Sequence, residues 1–291
     1  MSVLQWPVIR HVLHPVRSAH SAVRRGRRAM AALRALSIRR ETRSQCWCGG
    51  ALAPIGPPAR HRASYRACVA CGCYVNVRPP RPSQLARLYA FDLYWHGVQT
   101  RMGFPTIEER TQHDLADGRV DYWLDVVQRF GPGTGHAVEV GCAHGVLLAA
   151  LQQRGYRCTG VEPDAQTAAW TTRHTGIPVR AGFFPAVTLE PCDLFLAFDV
   201  IEHVPDPVAF LRGARALLRP GGVTIIQTPV ERHEFANPFS ERPDFFDDLQ
   251  HLYLFSEPSF RRLVLQAGFV LVALEDATQK LGQVAVLTAT S

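Results

Sequence analysis

Nothing in the 291 residues approaches the roughly 18 uninterrupted apolar residues of a membrane span, and no apolar stretch of about 7 to 15 residues follows the basic N-terminus as a secretory signal would demand. Both absences predict a chain that neither spans a membrane nor is secreted, and hence a cytoplasmic one. Internal repeats are missing, and beyond the first residues there is no low-complexity tract. Lysine is almost absent, Lys280 standing alone among 32 basic side chains, a bias of coding composition rather than mechanism. A length of 291 residues exceeds what one compact core usually fills, which predicts a main domain of about 200 residues beside a smaller unit.

The net charge of +7 hints at nucleic acid until it is located along the chain. Residues 1–45 hold ten arginines against one acid, Glu41, which leaves 22 basic and 24 acidic residues for the other 246. The body is near neutral and offers no electrostatic track for a nucleic acid. The arm reads first as a partly helical, solvated extension. Because Leu4, Ile9, Val12, Leu13 and Val16 interleave with its arginines, contact with an anionic surface, membrane headgroups or RNA, is a second reading, and an Arg-rich transit peptide a third.

Five of the eight cysteines lie between positions 46 and 73. Cys46-Trp-Cys48-Gly49-Gly50 and Cys68-Val-Ala-Cys71-Gly72-Cys73 form two close pairs separated by 19 residues, the layout of a zinc ribbon in which four thiolates complete a tetrahedron. A glycine follows each pair, where a Cβ would crowd the turn around the metal. The expected ligands are Cys46, Cys48, Cys68 and Cys71, with Cys73 as a spare thiol and His61 as a weaker substitute. Four thiolates leave no position for water, so the zinc is structural. Cys142, Cys158 and Cys192 occur singly in apolar surroundings and read as small core residues.

After Pro79, Pro80 and Pro82, a helix is expected over Gln84–Tyr94 and a second over Ile107–Phe130, closed by Gly131-Pro132-Gly133. Strand patterns at 137–140, 157–161, 178–180, 193–198, 223–228, 270–275 and 284–288 alternate with helical patterns at 146–154, 164–174, 207–218 and 257–267. Such alternation predicts an α/β fold with a mainly parallel sheet covered by helices on both faces, and the last two strands, joined without a helix, an antiparallel edge hairpin.

The first of these strands ends in Glu139-Val-Gly141-Cys-Ala143-His-Gly145, directly before an apolar helix; glycines there let a ligand approach the backbone. About twenty residues on, Gly160-Val-Glu162-Pro163-Asp164 ends the next strand, where an acid can bind both ribose hydroxyls. The turn lacks the G-x-G-x-x-G that seats a pyrophosphate, which favours a cofactor without phosphates.

At these residues the chain resembles the class I methyltransferases, whose first motif runs acid-x-Gly-x-Gly-x-Gly. Residues 105–291 carry the likeness, including Phe198-Asp199-Val200-Ile201-Glu202-His203-Val204-Pro205, Leu218-Arg-Pro220-Gly221-Gly222, His251-Leu-Tyr-Leu-Phe255 and Ala267-Gly268-Phe269. The resemblance implies a Rossmann-like, seven-stranded, mostly parallel sheet with an antiparallel last strand, and S-adenosylmethionine as cofactor. It places Glu139, Gly141, Ala143 and Gly145 at the methionine end, Glu162 and Pro163 at the ribose, Gly182 and Phe183 beside the adenine, and Phe198 and Asp199 at the closing strand. The whole chain, with its ribbon and Tyr89-Ala-Phe91-Asp-Leu-Tyr94-Trp95 segment, is similar to bacterial methyltransferases of sugar, polysaccharide and natural-product tailoring. The expected organisation is an arm (1–45), a ribbon (46–78), a linker with a Tyr-rich helix (79–104) and the catalytic domain (105–291).

Alignment of donor and acceptor supplies most of the chemistry, and a base is needed only where the acceptor must lose a proton. His203, just past the fourth strand, is the first candidate, followed by His251 and then His233. The aromatic segment 229–250 reads as a lid over the acceptor or as an ordered surface loop. Asp199, Glu202 and His203 resemble the acid-x-x-acid-His of ubiquinone-pathway O-methyltransferases, where the resemblance implies a divalent ion, although the same residues can cap a helix start. A small-molecule, saccharide or natural-product acceptor is expected. The alternatives are an RNA methyltransferase using arm and ribbon, against which stands the missing Asn/Asp-Pro-Pro-aromatic at the fourth strand, and a non-catalytic binding module.

Overall fold

The computed structural model describes residues 37–55, 63–100, 102–104, 106–231, 246–247, 249–277 and 282–290. Most of the arginine-rich arm, His61, His233 and most of the 229–250 segment lie outside them. Three short strands, β1 (Leu52–Pro54), β2 (Tyr65–Cys68) and β3 (Tyr74–Asn76), pair antiparallel in sequence order, with Cys68 on β2, Cys46 and Cys48 before β1, and Cys71 and Cys73 between β2 and β3.

The continuous helix expected over 84–94 is instead two single turns, Leu85–Leu88 and Phe91–Leu93, and a wider turn at Tyr94–Gln99. The chain breaks at Ala90 (ψ 140°) because the flanking residues are buried in different places: Leu85 and Leu88 pack with Ile38, whereas Phe91 and Trp95 pack with Ile107 and Trp170. The helix expected over 107–130 is likewise two, α1 (Ile107–Ala116) and α2 (Arg119–Phe130). Gly118 between them sits at φ +84°, a left-handed conformation that ends one helix and re-aims the next. Thr106 and Glu109 cap α1 reciprocally: Thr106 Oγ1 accepts from the Glu109 amide at 3.1 Å and donates to its carboxylate at 3.3 Å.

The remainder follows the expected alternation: β4 (Gly135–Val140), α3 (Val146–Gln153), β5 (Tyr156–Glu162), α4 (Ala165–Thr175), β6 (Val179–Ala181), β7 (Cys192–Phe198), α5 (Pro207–Leu217), β8 (Leu218–Thr228), β9 (Val230–Glu231), β10 (Tyr253–Ser256), α6 (Glu257–Gln266), β11 (Phe269–Asp276) and β12 (Gln283–Ala289). Seven strands form one sheet in the order β11-β12-β8-β7-β4-β5-β6, parallel from β8 to β6, with β12 antiparallel to both neighbours. A second sheet, β1-β2-β3-β10-β9, joins the cysteine strands to the body through antiparallel β3–β10 pairing.

Strand alternation divides the core into two layers. Leu194 and Leu196 of β7 face α2 and α3, whereas Phe195 and Ala197 face α5 and α6. The second layer also contains Cys46, Cys68, Cys71 and Cys73, so the cysteine strands share a core with the body. Cys142, Cys158 and Cys192 are buried core residues, as expected. No helix among the described residues is long and apolar enough to cross a membrane.

Phe195 is fully buried against Phe184 and Phe210, with ring centroids 5.2 and 6.0 Å away. We predict that Phe195→Ala lowers the unfolding free energy by about 3–5 kcal/mol in urea titrations. A loss below about 1 kcal/mol would show that this ring does not key the second layer.

Candidate active site at the carboxyl edge of the sheet

The turn after β4 is left-handed at three of five residues, Gly141 (φ +74°), Ala143 (φ +43°) and Gly145 (φ +73°). The amides of Gly141 and Cys142 both point back to the Val161 carbonyl, at 2.8 and 3.2 Å, which folds the turn over the tip of β5. A Cβ on Gly141 would lie 2.5 Å from Val200 Cγ2, so the approach of the Asp199–Val200 corner requires glycine there. Ala143 has a Cβ in a conformation that costs about 1–3 kcal/mol. Two bonds hold it: its amide donates to Glu162 Oε2 at 3.1 Å, and its carbonyl accepts from the Thr171 hydroxyl. The strand-end turn and the acid of the following strand therefore meet directly. Asp199, at the end of β7, is also left-handed, at φ +54°.

Two adjoining cavities open at this edge, of about 370 and 500 Å³. Gly141, Ala143, Asp199 and His203 line both. Glu162, Pro163 and Phe183 line the first, Glu139, Phe198 and His251 the second. Gly145 and Gly182 line neither. Gly145 precedes α3 where a Cβ would meet Thr171 Cγ2 at 2.6 Å, and Gly182 (φ +142°) donates its amide to the Glu162 carbonyl at 2.9 Å; both shape the walls from behind.

Buried carboxyls dominate the electrostatics. Burial pushes the Glu162 carboxyl up to about 7, against the pull of the Asp164 and Ala143 amides. Burial and then the Glu162 charge push Glu139 up to about 8, and its Oε2 is buried with no partner among the described residues. An acceptor left unpaired beside a cavity suits a ligand that brings a donor.

His203 follows the fourth parallel strand in the turn Ile201–His203. Its Nδ1 donates to the Gln250 carbonyl at 2.9 Å, so that in the neutral ring Nε2 is the acceptor. Burial holds its pKa below the ordinary value, and the Gln250 carbonyl and Asp247 oppose that. The His251 ring lies 4.9 Å away, and ligand atoms of Glu202, His203 and His251 fall within 4.8 Å of one another, close enough to share a proton or a cation. Glu202 is raised by burial, while His251 pulls it down; Asp247 stays low because His251 and local hydrogen bonds outweigh its burial. The helix-cap alternative falls away, because α5 is capped by Asp206, whose Oδ1 accepts from the Ala209 amide at 2.9 Å.

Sequence reasoning missed Arg110, Asp114, Arg119 and His144. Asp114 accepts from Arg110 Nε at 2.8 Å, lies 3.0 Å from His144 Nε2 and 3.2 Å from Arg119 Nη1, and the group lines the second cavity. Arg110, Thr111 and Asp114 are buried on α1, a polar face turned inward that hydrophobic periodicity reads as solvent-facing.

Cys46, Cys48, Cys68 and Cys71 come together with every Sγ within 4.8 Å of the others and nearest pairs at 3.4, 3.5 and 3.7 Å. A tetrahedral zinc with 2.3 Å bonds needs edges of about 3.8 Å, so the four fit the ion. Cys73 is not one of the four, and its Sγ donates to the Leu254 carbonyl at 3.4 Å. Contact with Cys46, then burial, pushes the Cys71 thiol up, and burial raises that of Cys48; a bound cation reverses both.

A family model described as a methyltransferase domain matches residues 111–274. The ubiquinone biosynthesis O-methyltransferase of Pseudomonas aeruginosa (strain UCBPP-PA14) is 29% identical over 132 residues, 42% of this chain and 54% of its own. The chain thus spans about half the length of that curated relative. The fold is shared with human N-acetylserotonin methyltransferase (TM-score 0.53, 15% identity, 69% of this chain, 59% of that one) and with mitomycin 7-O-methyltransferase (0.54, 15%, 71% and 62%). At such identities the likeness is one of fold.

Two outcomes are expected. Protein purified under reducing conditions should contain one zinc per chain, and Cys68→Ser should lose both the metal and several degrees of Tm; metal lost without a change in Tm would contradict a structural role. Because Glu162 titrates higher folded than unfolded, the ligand-free chain should lose stability as pH rises from about 4.5, the unfolded value, through about 7. Urea midpoints of Glu162→Gln should fall less over that window, and parallel profiles for the two proteins would contradict the buried carboxyl.

Proposed function

The chain belongs to the methyltransferase-domain family, and on that premise we propose that it transfers a methyl group from S-adenosylmethionine to a hydroxyl of a small-molecule acceptor of natural-product type. The observation that carries this reading is the direct bond from the Ala143 amide to the Glu162 carboxylate beside the first cavity, with the unpaired Glu139 Oε2 beyond it. Glu162 would hold the ribose hydroxyls, with Pro163 and Phe183 flanking the nucleoside. Glu139 would take the amino group, and Arg110 and Arg119, which line the second cavity, would favour a carboxylate there. When bound, the cofactor supplies an electrophilic methyl on a sulfonium.

His203 Nε2 would accept the proton that the attacking hydroxyl gives up as its oxygen takes the methyl from the bound cofactor, which leaves a neutral thioether. A base so placed supplies about 10² to 10⁴-fold. Cavities of about 370 and 500 Å³ suit a small molecule. The names of the ubiquinone, N-acetylserotonin and mitomycin relatives support such an acceptor over a saccharide. The near-neutral body argues against RNA. Zinc on the four thiolates would be structural.

Saturating S-adenosylmethionine should raise the Tm of the purified chain, a ligand at 100 times its Kd adding about 2.7 kcal/mol. Glu162→Ala should abolish the shift. No shift for the native chain at millimolar cofactor would leave a non-catalytic module as the better description.

A further inference from the structure

The cysteine strands reach further than their own core. Through β3 they hydrogen-bond β10 in the register Tyr253↔Val75 and Leu254↔Tyr74. Immediately before β10 the chain turns at Asp247–His251, closed by the His251 amide on the Asp247 carbonyl at 2.9 Å. That turn presents Asp247, Gln250 and His251 to the second cavity.

Resting on the reading of His203 and His251 as facing the acceptor, we propose that Tyr65 and Asn76, on the strands of the cysteine unit, are positioning residues that fix the histidine pair. Both are 0% exposed. The Tyr65 hydroxyl lies 2.9 Å from the Asp247 carbonyl and 2.8 Å from the His251 carbonyl, its one proton shared between them. Asn76 Nδ2 donates to the His251 carbonyl at 3.2 Å, and its amide to the Leu252 carbonyl at 3.0 Å. From the opposite side the Leu252 amide donates to the Glu202 carbonyl at 2.8 Å, and His203 Nδ1 to the Gln250 carbonyl at 2.9 Å. The backbone of Asp247 and of Gln250–Leu252 is clamped between the cysteine strands and the Ile201–His203 turn.

The direction of the bonds distinguishes positioning from packing. Tyr65 already packs its ring edge-on to Phe246, with centroids 5.0 Å apart, and phenylalanine would fill that space equally well. The hydroxyl bonds the carbonyls of a cavity-lining turn, and a buried hydrogen bond specifies position where apolar contact does not. The ring plane and Nδ1 bond of His203, and hence the aim of its Nε2, depend on where the Gln250 carbonyl stands.

The test uses the full chain with its metal. Tyr65→Phe keeps the ring and removes the proton; Asn76→Asp keeps the acceptor for the Arg78 amide (3.0 Å) and removes the donor. Val69→Ala, exposed on the same unit, is the control. Imidazole ring resonances of ¹³C-histidine-labelled protein should move for both His203 and His251 in the first two variants and in neither for the control. Exchange of the His251 and Leu252 amides should quicken about tenfold, and affinity for S-adenosylhomocysteine should stay within about twofold of native. Unmoved ring resonances in Tyr65→Phe and Asn76→Asp would overturn the proposal, and so would shifts accompanied by spectrum-wide change and lost cofactor binding, the mark of a merely structural role. If the native chain binds no S-adenosylhomocysteine, the methyltransferase reading fails by itself, and the ring resonances still decide the positioning.

Discussion

The bond from the Ala143 amide to the Glu162 carboxylate is the constraint around which the site is arranged. It requires that the β4 turn curl left-handed, so that amides rather than side chains face the tip of β5. That in turn admits Val200 against Gly141 and brings the fourth-strand corner, with Asp199 and His203, to the same opening. The arrangement opposes folding, since it keeps Glu139 and Glu162 away from water and an alanine in a disfavoured conformation. The two core layers carry that load. A site assembled from unfavourable parts on a stable sheet is what a ligand-binding edge needs, because the groups left unpaired in the fold are the ones a ligand can pair.

Much of this was legible in the sequence. The seven sheet strands and the four helices between them follow from runs of period two and 3.6, because these elements bury whole faces and the pattern records burial. The misreadings have one cause in common. At Ala90 and Gly118 helical spacing continues across a break, since periodicity records that residues are buried and not against which partner. Arg110, Asp114 and His144 were invisible for the converse reason: they satisfy one another inside, and an inward polar network has the composition of a solvated face. Gly145 and Gly182 stand behind the lining residues, one where a Cβ would meet Thr171 and the other bonded to the Glu162 carbonyl. The clamp of Tyr65 and Asn76 on His251 spans more than 170 residues and leaves no local trace.

The cysteine unit and the catalytic sheet are, on these contacts, one mechanical body. Cys46, Cys68, Cys71 and Cys73 share the α5–α6 core, Ser256 Oγ donates to the Cys71 carbonyl at 3.2 Å, and Cys73 Sγ reaches the Leu254 carbonyl. A metal on the four cysteines would, by ordering their strands, also hold β10, and the turn immediately before β10 lines the second cavity. The metal, remote from any chemistry, would influence the site through backbone position alone.

Charge offers the last step. The methyl donor of the proposed reaction is cationic and its product neutral, so a site that stabilised the bound sulfonium most strongly would raise its own barrier. The acids proposed to hold the donor, Glu139 and Glu162, are pushed up by burial to about 8 and about 7. The positive charge is not lost in the proposed step but moved, with the proton, to His203. There Asp247, held in its ionised form below the ordinary carboxylate range, favours the charged imidazole, and Glu202 Oε1 stands 3.8 Å from Nε2. An ionised acid near the group that would receive the charge favours the step over its start, which is how fixed charges favour a transition state over a ground state.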